Sequence, residues 1–440
     1  MSKLTDLTEE LVQDKLLTDE DVDRILQCAR DQAEQEPLPL KEIDQVYRIA
    51  AGESSKLHMD KLPLPLKILG VFLLISGLIS IFLIVVAITA LIGLHLELNV
   101  FGQTATTNTL VVLSILSSAV AAVLSFTTGL NMLKGRRGKA GRLMVTLVLI
   151  DIFGLVVAIM LYGTDQALLL NLTTITIKLV SGEYLNPSMT RLRRLRRGLD
   201  SLDTETHAKR GTLGLAEPGE GYIRLDFFNL FWTFVICCFL GLAVECIFHM
   251  TVVDPGVYQD RAGLLYGPFS PIYGFGAVLM TMALNRFKDK NVILLFVACT
   301  IIGGAFEYFV SWFMEVGFGA VAWDYSGHFL NIQGRTCLLY ASMFGVLGVA
   351  WIKWLLPLLL KIINKIPWQL RSSITTICAV LMLVNCIMTL QALDNWYARV
   401  SGETPDDPIE EFYAKYYDND VMPNRYQSMS ITPEKTARDD

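Results

Sequence analysis

Long apolar stretches separated by short polar segments dominate the pattern of hydrophobic positions along this chain. A hydrocarbon core about 30 Å thick needs roughly 20 apolar residues per helix, because a helix rises about 1.5 Å per residue. Nine stretches reach or approach that length, at about 66–94, 108–133, 143–162, 165–181, 226–249, 268–285, 291–315, 336–360 and 373–393. The fourth contains Asn171 and Lys178, and the sixth begins with Pro268 and Pro271, which predicts a bent or partly re-entrant start.

Composition sets the class of protein. Hydrophobic residues make up 52% of the 440 residues, and charged residues make up only 18%. A water-soluble domain of this length needs more charge to cover its surface, so the composition excludes a soluble globular protein. We therefore predict an all-α, polytopic helical membrane protein with about nine transmembrane helices and a small helical cytoplasmic N-terminal segment.

Lysine and arginine occur in every second loop between the predicted spans. Short loops rich in these residues remain on the cytoplasmic side of a membrane. The basic clusters lie within residues 134–142, 191–197, 286–290 and 361–371. This pattern predicts a multi-pass topology with a cytoplasmic N-terminus and an external C-terminus. The first sixty residues are polar and acidic, so we predict no cleavable signal peptide.

Changes in composition divide the chain into five parts. They are a cytoplasmic acidic helical segment at 1–62, a four-span membrane block at 63–181, a basic cytoplasmic linker at 182–225, a five-span membrane block at 226–393 and an external acidic tail at 394–440. In the first part, a helix from Asp19 to Gln32 carries an apolar stripe. That stripe packs on a neighbouring helix of the segment or docks on another protein, and the sequence leaves both open.

The five-span block contains a duplicated two-helix unit. The pattern Gly-x-Ala-x-Glu occurs at 241–245 and 303–307, and the pattern Arg-x-x-Leu-Leu-Tyr occurs at 261–266 and 335–340. An ionised side chain at membrane depth costs several kcal/mol on insertion scales, so Glu245 and Glu307 need either cationic partners or a functional role. Two copies in the same orientation imply a pseudo-two-fold axis along the membrane normal. We expect that axis to bring both glutamates to one interface with Arg261 and Arg335.

Further polar side chains join these four charges in a predicted site. His249 lies one helical turn beyond Glu245, while Ser311 and Glu315 continue the face of Glu307. The loops on the same side add tyrosine, tryptophan, aspartate and asparagine. The candidate ligand-binding residues are Glu245, His249, Arg261, Tyr266, Tyr273, Glu307, Ser311, Glu315, Trp323, Asp324, Tyr325, Asn331 and Arg335. We predict that they line a polar cleft that opens outward between spans five to eight.

The charged residues also have a purely structural interpretation. Glu245 with Arg261 and Glu307 with Arg335, or the crossed pairs, are able to form ion pairs that hold the helices together. Buried ion pairs seldom stabilise a protein more than apolar replacements do, and the polar residues around them exceed what charge compensation requires. The sequence therefore favours a ligand or ion cleft. It identifies no catalytic residue and no cofactor, and it leaves metal binding undecided.

A resemblance to a bacterial protein family coincides with these residues. It is carried by Glu245, residues 263–268 and 271–274, Glu307, Tyr308, Ser311, Glu315, residues 323–326, Asn331 and residues 334–338. The stretch from Phe228 to about Leu355 resembles the family named Putative ABC-transporter type IV, whose members are described as ABC transporter permeases. Residues 426–429, Tyr-Gln-Ser-Met, are similar to a Tyr-Pro-Asn-Met element near the end of such proteins and depart from it at the centre.

The resemblance implies a permease or permease-like subunit in the bacterial cell (cytoplasmic) membrane. An ABC transporter also needs a nucleotide-binding P-loop, Gly-x-x-x-x-Gly-Lys-Ser/Thr, and the sequence contains none. If ATP drives the protein, a separate cytoplasmic subunit must bind it, and the segments at 1–62 and 182–225 are the expected docking surfaces. A protonatable glutamate is an alternative means of coupling transport without ATP.

Three classes of function remain open. The first is a permease that binds a small solute or ion in the cleft. The second is a membrane enzyme that acts at the outer leaflet on lipid-linked or envelope substrates, with Glu245, His249, Glu307 and Asp324 as acids, bases or metal ligands. The third is a sensor or assembly factor whose N-terminal helices bind a cytoplasmic partner. Membrane lipid is an expected partner in each class, and nucleic acid is not.

Overall fold

The computed structural model describes residues 62–93, 105–164, 166–185, 207–208, 211–216 and 221–438. The chain divides into two compact units, the first ending at Gly211 and the second beginning at Thr212. The described residues are mostly helical, and the only strands among them are two residues long. The prediction of an all-α polytopic membrane protein is confirmed. The helices predicted within residues 1–61 lie outside the described residues.

The first unit contains four successive helices. They are α1 (Leu64–Gly93), α2 (Ala105–Leu133), α3 (Arg137–Tyr162) and α4 (Gln166–Tyr184). Glycines let α1 and α2 pack closely, because a Cβ atom at Gly77 would lie 2.5 Å from the backbone nitrogen of Phe126. Between α3 and α4, Lys178 Nζ lies 2.7 Å from Asp151 Oδ2. Asp151 is therefore paired with a lysine of the neighbouring helix.

The second unit contains the remaining elements. Its helices are α5 (Phe227–Phe248), α6 (Pro271–Leu284), α7 (Val292–Phe318), α8 (Leu338–Ala350), α9 (Leu356–Ile363), α10 (Arg371–Val400), α11 (Pro408–Tyr416) and α12 (Val421–Arg425). A π-helical segment, His249–Val253, extends α5, and another, Trp351–Leu355, joins α8 to α9. The strands β1 (Ala320–Val321) and β2 (Ser430–Ile431) form an antiparallel pair.

Seven helices in the described part of the chain are long and apolar enough to cross a membrane. They lie at Leu64–Val86, Thr106–Leu133, Gly138–Tyr162, Phe227–Val253, Val292–Phe318, Leu338–Ile363 and Trp368–Val400. The two predicted spans with unusual sequences are shorter: the apolar part of α4 is Leu168–Gly182, and α6 has 14 residues. The count of nine crossings therefore stays a prediction.

The helix α6 is short because irregular backbone precedes it. Residues 254–270 form a loop, and Pro271 begins the helix. Irregular backbone at membrane depth requires hydrogen-bond partners from protein or trapped water. Two side chains of α10 supply them: Asn385 exchanges hydrogen bonds with the backbone of Tyr266, and Thr389 Oγ1 accepts one from Leu265 N at 2.9 Å. The loop is thus held against α10.

The duplicated sequence corresponds to two helical hairpins. Helix α5 packs against α6, and α7 packs against α8. In each hairpin, the glycine that opens the Gly-x-Ala-x-Glu pattern faces an aromatic side chain of the second helix. A Cβ atom at Gly241 would overlap the ring of Tyr273, and one at Gly303 would lie 2.5 Å from Phe344 Cβ. The repeated glycine therefore permits the close approach of both helix pairs.

Part of the predicted linker is folded onto the second unit. Asn285, just after α6, holds this segment with its side-chain amide. Its Oδ1 accepts hydrogen bonds from the backbone nitrogens of Tyr222 and Ile223 at 2.9 and 3.0 Å, and its Nδ2 donates to the Ile223 carbonyl at 2.8 Å. Gly214 and Gly221, two glycines of the predicted linker, both have positive φ in this folded segment.

The C-terminal tail folds back onto the helical bundle. Helix α10 continues to Val400, seven residues past the predicted end of its span. Strand β2 in the tail pairs with β1, which follows α7. Arg425 donates hydrogen bonds to the carbonyl oxygens of Leu264 and Gly267 and forms an ion pair with Asp260 at 2.9 Å. We call the end of the second unit that carries residues 254–270 and 319–337 the loop end, and the tail packs there.

The glycine packing gives a test of the hairpin geometry. Replacing Gly303 with Ala places a Cβ atom 2.5 Å from Phe344 Cβ, which the backbone must move to relieve. We expect the Gly303→Ala variant to lose about 1–3 kcal/mol of stability, the usual effect of overpacking, and to unfold at a lower temperature in detergent. Gly276→Ala is the matched control, because its nearest neighbour is 3.8 Å away. Equal melting temperatures for the two variants would contradict the packing.

Candidate functional site

A cavity of about 290 Å³ lies between α5, α6, α7, α8 and α9. We call it the site cavity. Six of the thirteen predicted ligand-binding residues line it: Glu245, Arg261, Tyr273, Glu307, Trp323 and Tyr325. Glu245 lies in the last turn of α5, Glu307 lies just over three turns before the end of α7, and Tyr273 lies in the first turn of α6. These positions place the polar side chains toward the loop end, and the structure thus brings together residues from both copies of the repeat.

The first copy of the repeat forms the expected ion pair. Arg261 Nε donates to Glu245 Oε1 at 2.7 Å, and Arg261 Nη1 donates to Gln259 Oε1 at 2.7 Å. The side chains of Arg261 and Glu245 are 20% and 23% exposed, so the pair is largely shielded from solvent.

The second copy is arranged differently. Glu307 is 4% exposed, and both of its carboxylate oxygens accept hydrogen bonds from hydroxyl groups. Tyr325 donates to Oε1 at 3.1 Å, and Thr336 donates to Oε2 at 2.8 Å. No lysine, arginine or histidine of the described residues lies within ion-pair distance of Glu307. The carboxylate is therefore buried with hydrogen-bond donors and without a cation.

Neither the Glu307 to Arg335 pair nor the crossed pairs are formed. Arg335 Nη2 instead lies 2.8 Å from Glu315 Oε2, and Lys435 of the tail lies 3.3 Å from the other oxygen of Glu315. The reason is a difference between the copies. Glu315 lies eight residues after Glu307, whereas the residue eight positions after Glu245 is Val253. At this helix position, about 12 Å beyond the glutamate, only the second copy offers its arginine a competing acid.

The loop between β1 and α8 delivers Tyr325 to the cavity. Its ring stacks on Tyr340 with centroids 4.4 Å apart. Burial raises the pKa of Tyr325 well above its ordinary value, and the neighbouring Glu307 carboxylate raises it further. Since the hydroxyl stays protonated, it remains a donor to Glu307. Trp323 is fixed by a hydrogen bond from its Nε1 to the carbonyl oxygen of Arg335 at 2.9 Å.

Asp324 and Asn331 shape that loop and do not line the cavity. Asp324 accepts hydrogen bonds from the hydroxyl and the backbone nitrogen of Ser326, and these bonds lower the pKa of its carboxyl. Asn331 Oδ1 accepts from Gly334 N at 3.1 Å, while its Nδ2 donates to the carbonyls of Ser326 and His328. Both side chains thus stabilise the turns that present Tyr325.

The other predicted site residues lie elsewhere in the second unit. Glu315 and Arg335 form the separate ion pair with Lys435. Tyr266 shares a hydrogen bond with the hydroxyl of Tyr417 in the tail. His249 is buried in the π-helical segment after α5, and its Nδ1 has no partner among the described residues. Ser311 is half-buried on α7 outside the cavity lining.

Three residues of the charged network were not predicted from sequence. Thr336 is the second residue of the repeated Arg-x-x-Leu-Leu-Tyr pattern in the second copy, and its hydroxyl is the signal that could have indicated it. In the first copy the equivalent residue is Ala262, which has no side-chain donor. Gln259 lies two residues before Arg261 in a loop without regular structure. Lys435 lies in a tail expected to be acidic and external, and nothing local indicates that it contacts Glu315.

The lining of the cavity differs from the predicted polar cleft. Apart from the six polar or amphipathic residues, its walls consist of aliphatic and aromatic side chains, glycines, an alanine, a methionine and a cysteine. Phe306, Phe344 and Trp351 lie among them. The site is therefore an apolar cavity with a polar end.

A group of three carboxylates with metal-binding spacing lies away from this cavity. In the part of the chain that the structure describes, the only such group is Asp406, Asp407 and Glu410. Asp407 caps helix α11, accepting hydrogen bonds from the backbone nitrogens of Ile409 and Glu410 at 2.6 and 2.9 Å. The group thus has a structural role at a helix N-terminus.

Comparison with known proteins identifies the same part of the chain. Residues 232–390 match the family model described as Putative ABC-transporter type IV. The match confirms the family resemblance, and it covers most of α5, all of α6 to α9 and the site cavity. Searches of curated proteins and of solved structures give no match. The matched segment, together with the apolar helices, supports a multi-pass membrane protein related to transport.

The pairing of the four charges is testable by double-mutant cycles. We expect Arg335→Gln to couple with Glu315→Gln by about 0.5–3 kcal/mol, because the two side chains are in contact. The same arginine variant combined with Glu307→Gln should be additive within about 0.5 kcal/mol, because those side chains do not pair. Thermal unfolding of the purified variants in detergent measures both cycles. Coupling of Arg335 to Glu307 instead of Glu315 would refute the asymmetric arrangement.

Proposed function

We propose that the second unit is the ligand-binding part of a permease or permease-like subunit, with the ligand held in the site cavity between α5 and α9. The observation that carries this proposal is the burial of Glu307 in the cavity wall. Its carboxylate accepts two hydroxyl donors and has no cation among the described residues, and the same cavity is lined by a second carboxylate, Glu245, that is already paired with Arg261. The resemblance of residues 232–390 to a transporter family supports the same assignment.

A purely structural role accounts for Glu315 better than for Glu307. Glu315 lies on α7 and has two cationic partners, Arg335 in the loop at 319–337 and Lys435 in the tail. Glu307 faces a cavity. A buried carboxylate without a cation is destabilising compared with an apolar side chain, and polar groups of this kind within membrane helices usually serve ligand or ion binding. The cavity supplies the space that such a ligand requires.

The proposed orientation follows the distribution of basic loops. The loop end faces outward, and the basic loops face the cytoplasm. The sequence contains no P-loop. ATP bound by a separate subunit is therefore the proposed energy source, and that subunit docks on the cytoplasmic side. The segment folded against Asn285 lies at the end of the second unit opposite the loop end and is part of that proposed docking side.

Transport through the cavity is testable with membrane vesicles. Vesicles from cells that contain the protein and vesicles from cells that lack it would be compared for uptake of a panel of labelled amines, amino acids, peptides and lipids. We expect at least one compound to accumulate only with the protein. Gly276→Trp fills the cavity and should reduce that uptake at least about tenfold, equivalent to 1.4 kcal/mol of binding. Glu307→Gln should reduce it as well.

The matched control for the added tryptophan is Leu381→Trp. Leu381 lies on α10, is 63% exposed and does not line the cavity. It should leave uptake unchanged. The permease proposal is abandoned if no compound accumulates, or if uptake is insensitive to both Gly276→Trp and Glu307→Gln while the variants are present at normal levels.

The energy source gives a separate prediction. With an ATP-binding partner, uptake should require ATP inside the cytoplasmic compartment, stop with vanadate and persist with a protonophore. Cross-linking in cells followed by purification of the full chain should recover a protein with a P-loop. The opposite result, abolition by the protonophore and persistence with vanadate, would replace the ATP-binding subunit with proton coupling through a glutamate.

A further inference from the structure

The site cavity is longer on one side than on the others. On α5 its lining residues run from Cys237 to Glu245, and on α6 from Ile272 to Met280, each about 12 Å along the helix. On α8 and α9 they run from Phe344 to Ile362, about 27 Å along the helix axis. The cavity is therefore a chamber near the loop end with an apolar extension toward the opposite end.

The extension is open toward the side of the helical bundle. Four of its apolar lining residues have 40% to 56% of their surface exposed: Leu347, Leu355, Leu358 and Ile362. In a membrane-spanning helix, exposed aliphatic side chains contact lipid acyl chains and not water. A molecule in the cavity is thus able to reach the hydrocarbon of the bilayer through this wall.

The polar end of the cavity has an excess of acceptors. Glu245 is paired with Arg261, but Glu307 has only the hydroxyl donors of Tyr325 and Thr336. Among the described residues that line the cavity, Arg261 is the only cation. A ligand that brings a protonated amine to Glu307 would complete the charge balance with a charge-assisted hydrogen bond. Arg261 uses its Nε and Nη1 within the described residues, which leaves Nη2 for an anionic oxygen of the same ligand.

We infer that the site cavity binds a phospholipid of the surrounding bilayer whose headgroup carries an amine. The amine lies against Glu307, the phosphate lies near Arg261, and one acyl chain follows the apolar extension along α8 and α9. This inference rests on the proposed function only in placing a ligand in the cavity. It names the class of that ligand and gives the apolar walls a role.

The alternatives fit the cavity less well. A small hydrophilic amine satisfies Glu307 but leaves the extension lined by apolar side chains without an occupant. An apolar cavity of this kind favours apolar groups over water. An anionic lipid without an amine fills the extension but places negative charge beside a buried carboxylate that has no cation, which is unfavourable. Only an amphiphile with an amine satisfies both ends.

Native mass spectrometry of the full chain in detergent tests the inference. The probes are lysophosphatidylethanolamine, lysophosphatidylglycerol with the same acyl chain, and glycerophosphoethanolamine, which is the headgroup without a chain. Comparing two lipids with one chain cancels their partitioning into detergent, so the difference reports the headgroup. The variants are Glu307→Gln, Gly276→Trp and the lipid-facing control Leu381→Trp.

We expect one lysophosphatidylethanolamine to bind at least about tenfold more tightly than lysophosphatidylglycerol, the ratio for one charge-assisted hydrogen bond. Glu307→Gln should remove most of that preference without removing chain binding. Gly276→Trp should weaken both lipids at least about tenfold, and Leu381→Trp should weaken neither. The headgroup without a chain should not displace the lipid at equal concentration.

Other outcomes overturn the inference. Equal affinity for the two lipids, or a preference that Glu307→Gln leaves intact, would show that Glu307 does not bind the amine. Competition by the headgroup alone replaces the lipid with a small amine. If Gly276→Trp unfolds the protein, the headgroup preference and its loss in Glu307→Gln still decide the question. Vesicle uptake that depends on the cavity, without any lipid preference, would contradict this inference and support the permease proposal. Lipid preference without any uptake would support this inference and contradict the permease proposal.

Discussion

The arrangement of the second unit depends on satisfying the buried carboxylate of Glu307. An unsatisfied acid at that depth would be strongly destabilising, so donors must reach it from outside its own helix. They come from Tyr325 and Thr336, at the two ends of the segment that leads from β1 to α8. The turns held by Asp324 and Asn331 lie between them. The carboxylate therefore fixes the path of the loop, and the loop fixes one wall of the cavity.

The tail reinforces the same end of the molecule. Strand β2 pairs with β1, and Lys435 joins Arg335 at Glu315. Arg425 binds the carbonyls of the loop that carries Arg261. Both arginines of the repeat are thus held by loops that the tail contacts. Since the site draws residues from these loops, its geometry depends on a tail segment that lies more than 100 residues further along the chain, 161 residues in the case of Arg425 and Leu264.

The two copies of the repeat share their helix packing but differ in how their charged residues pair. In both hairpins the glycine of the repeated pattern allows an aromatic residue of the second helix to pack closely. The charged positions diverged, because Glu315 draws Arg335 away from Glu307 while Arg261 remains with Glu245. The result is one neutralised carboxylate and one carboxylate that has no cationic partner in the described part of the chain, both facing a cavity whose other walls are apolar. That combination suits a ligand with a cationic end and an apolar body.

The sequence by itself determined the membrane class, the positions of the long spans and the repeated charges, because hydrophobic length and intramembrane charge are local properties. It also indicated Glu245 with Arg261, which are joined by a short loop. Only the tertiary structure decided that Arg335 pairs with Glu315, that Thr336 and Lys435 take part, and that the cavity is mainly apolar. Those outcomes depend on which of several acids and donors the folded backbone brings within a few ångströms, and a one-dimensional pattern does not contain those distances.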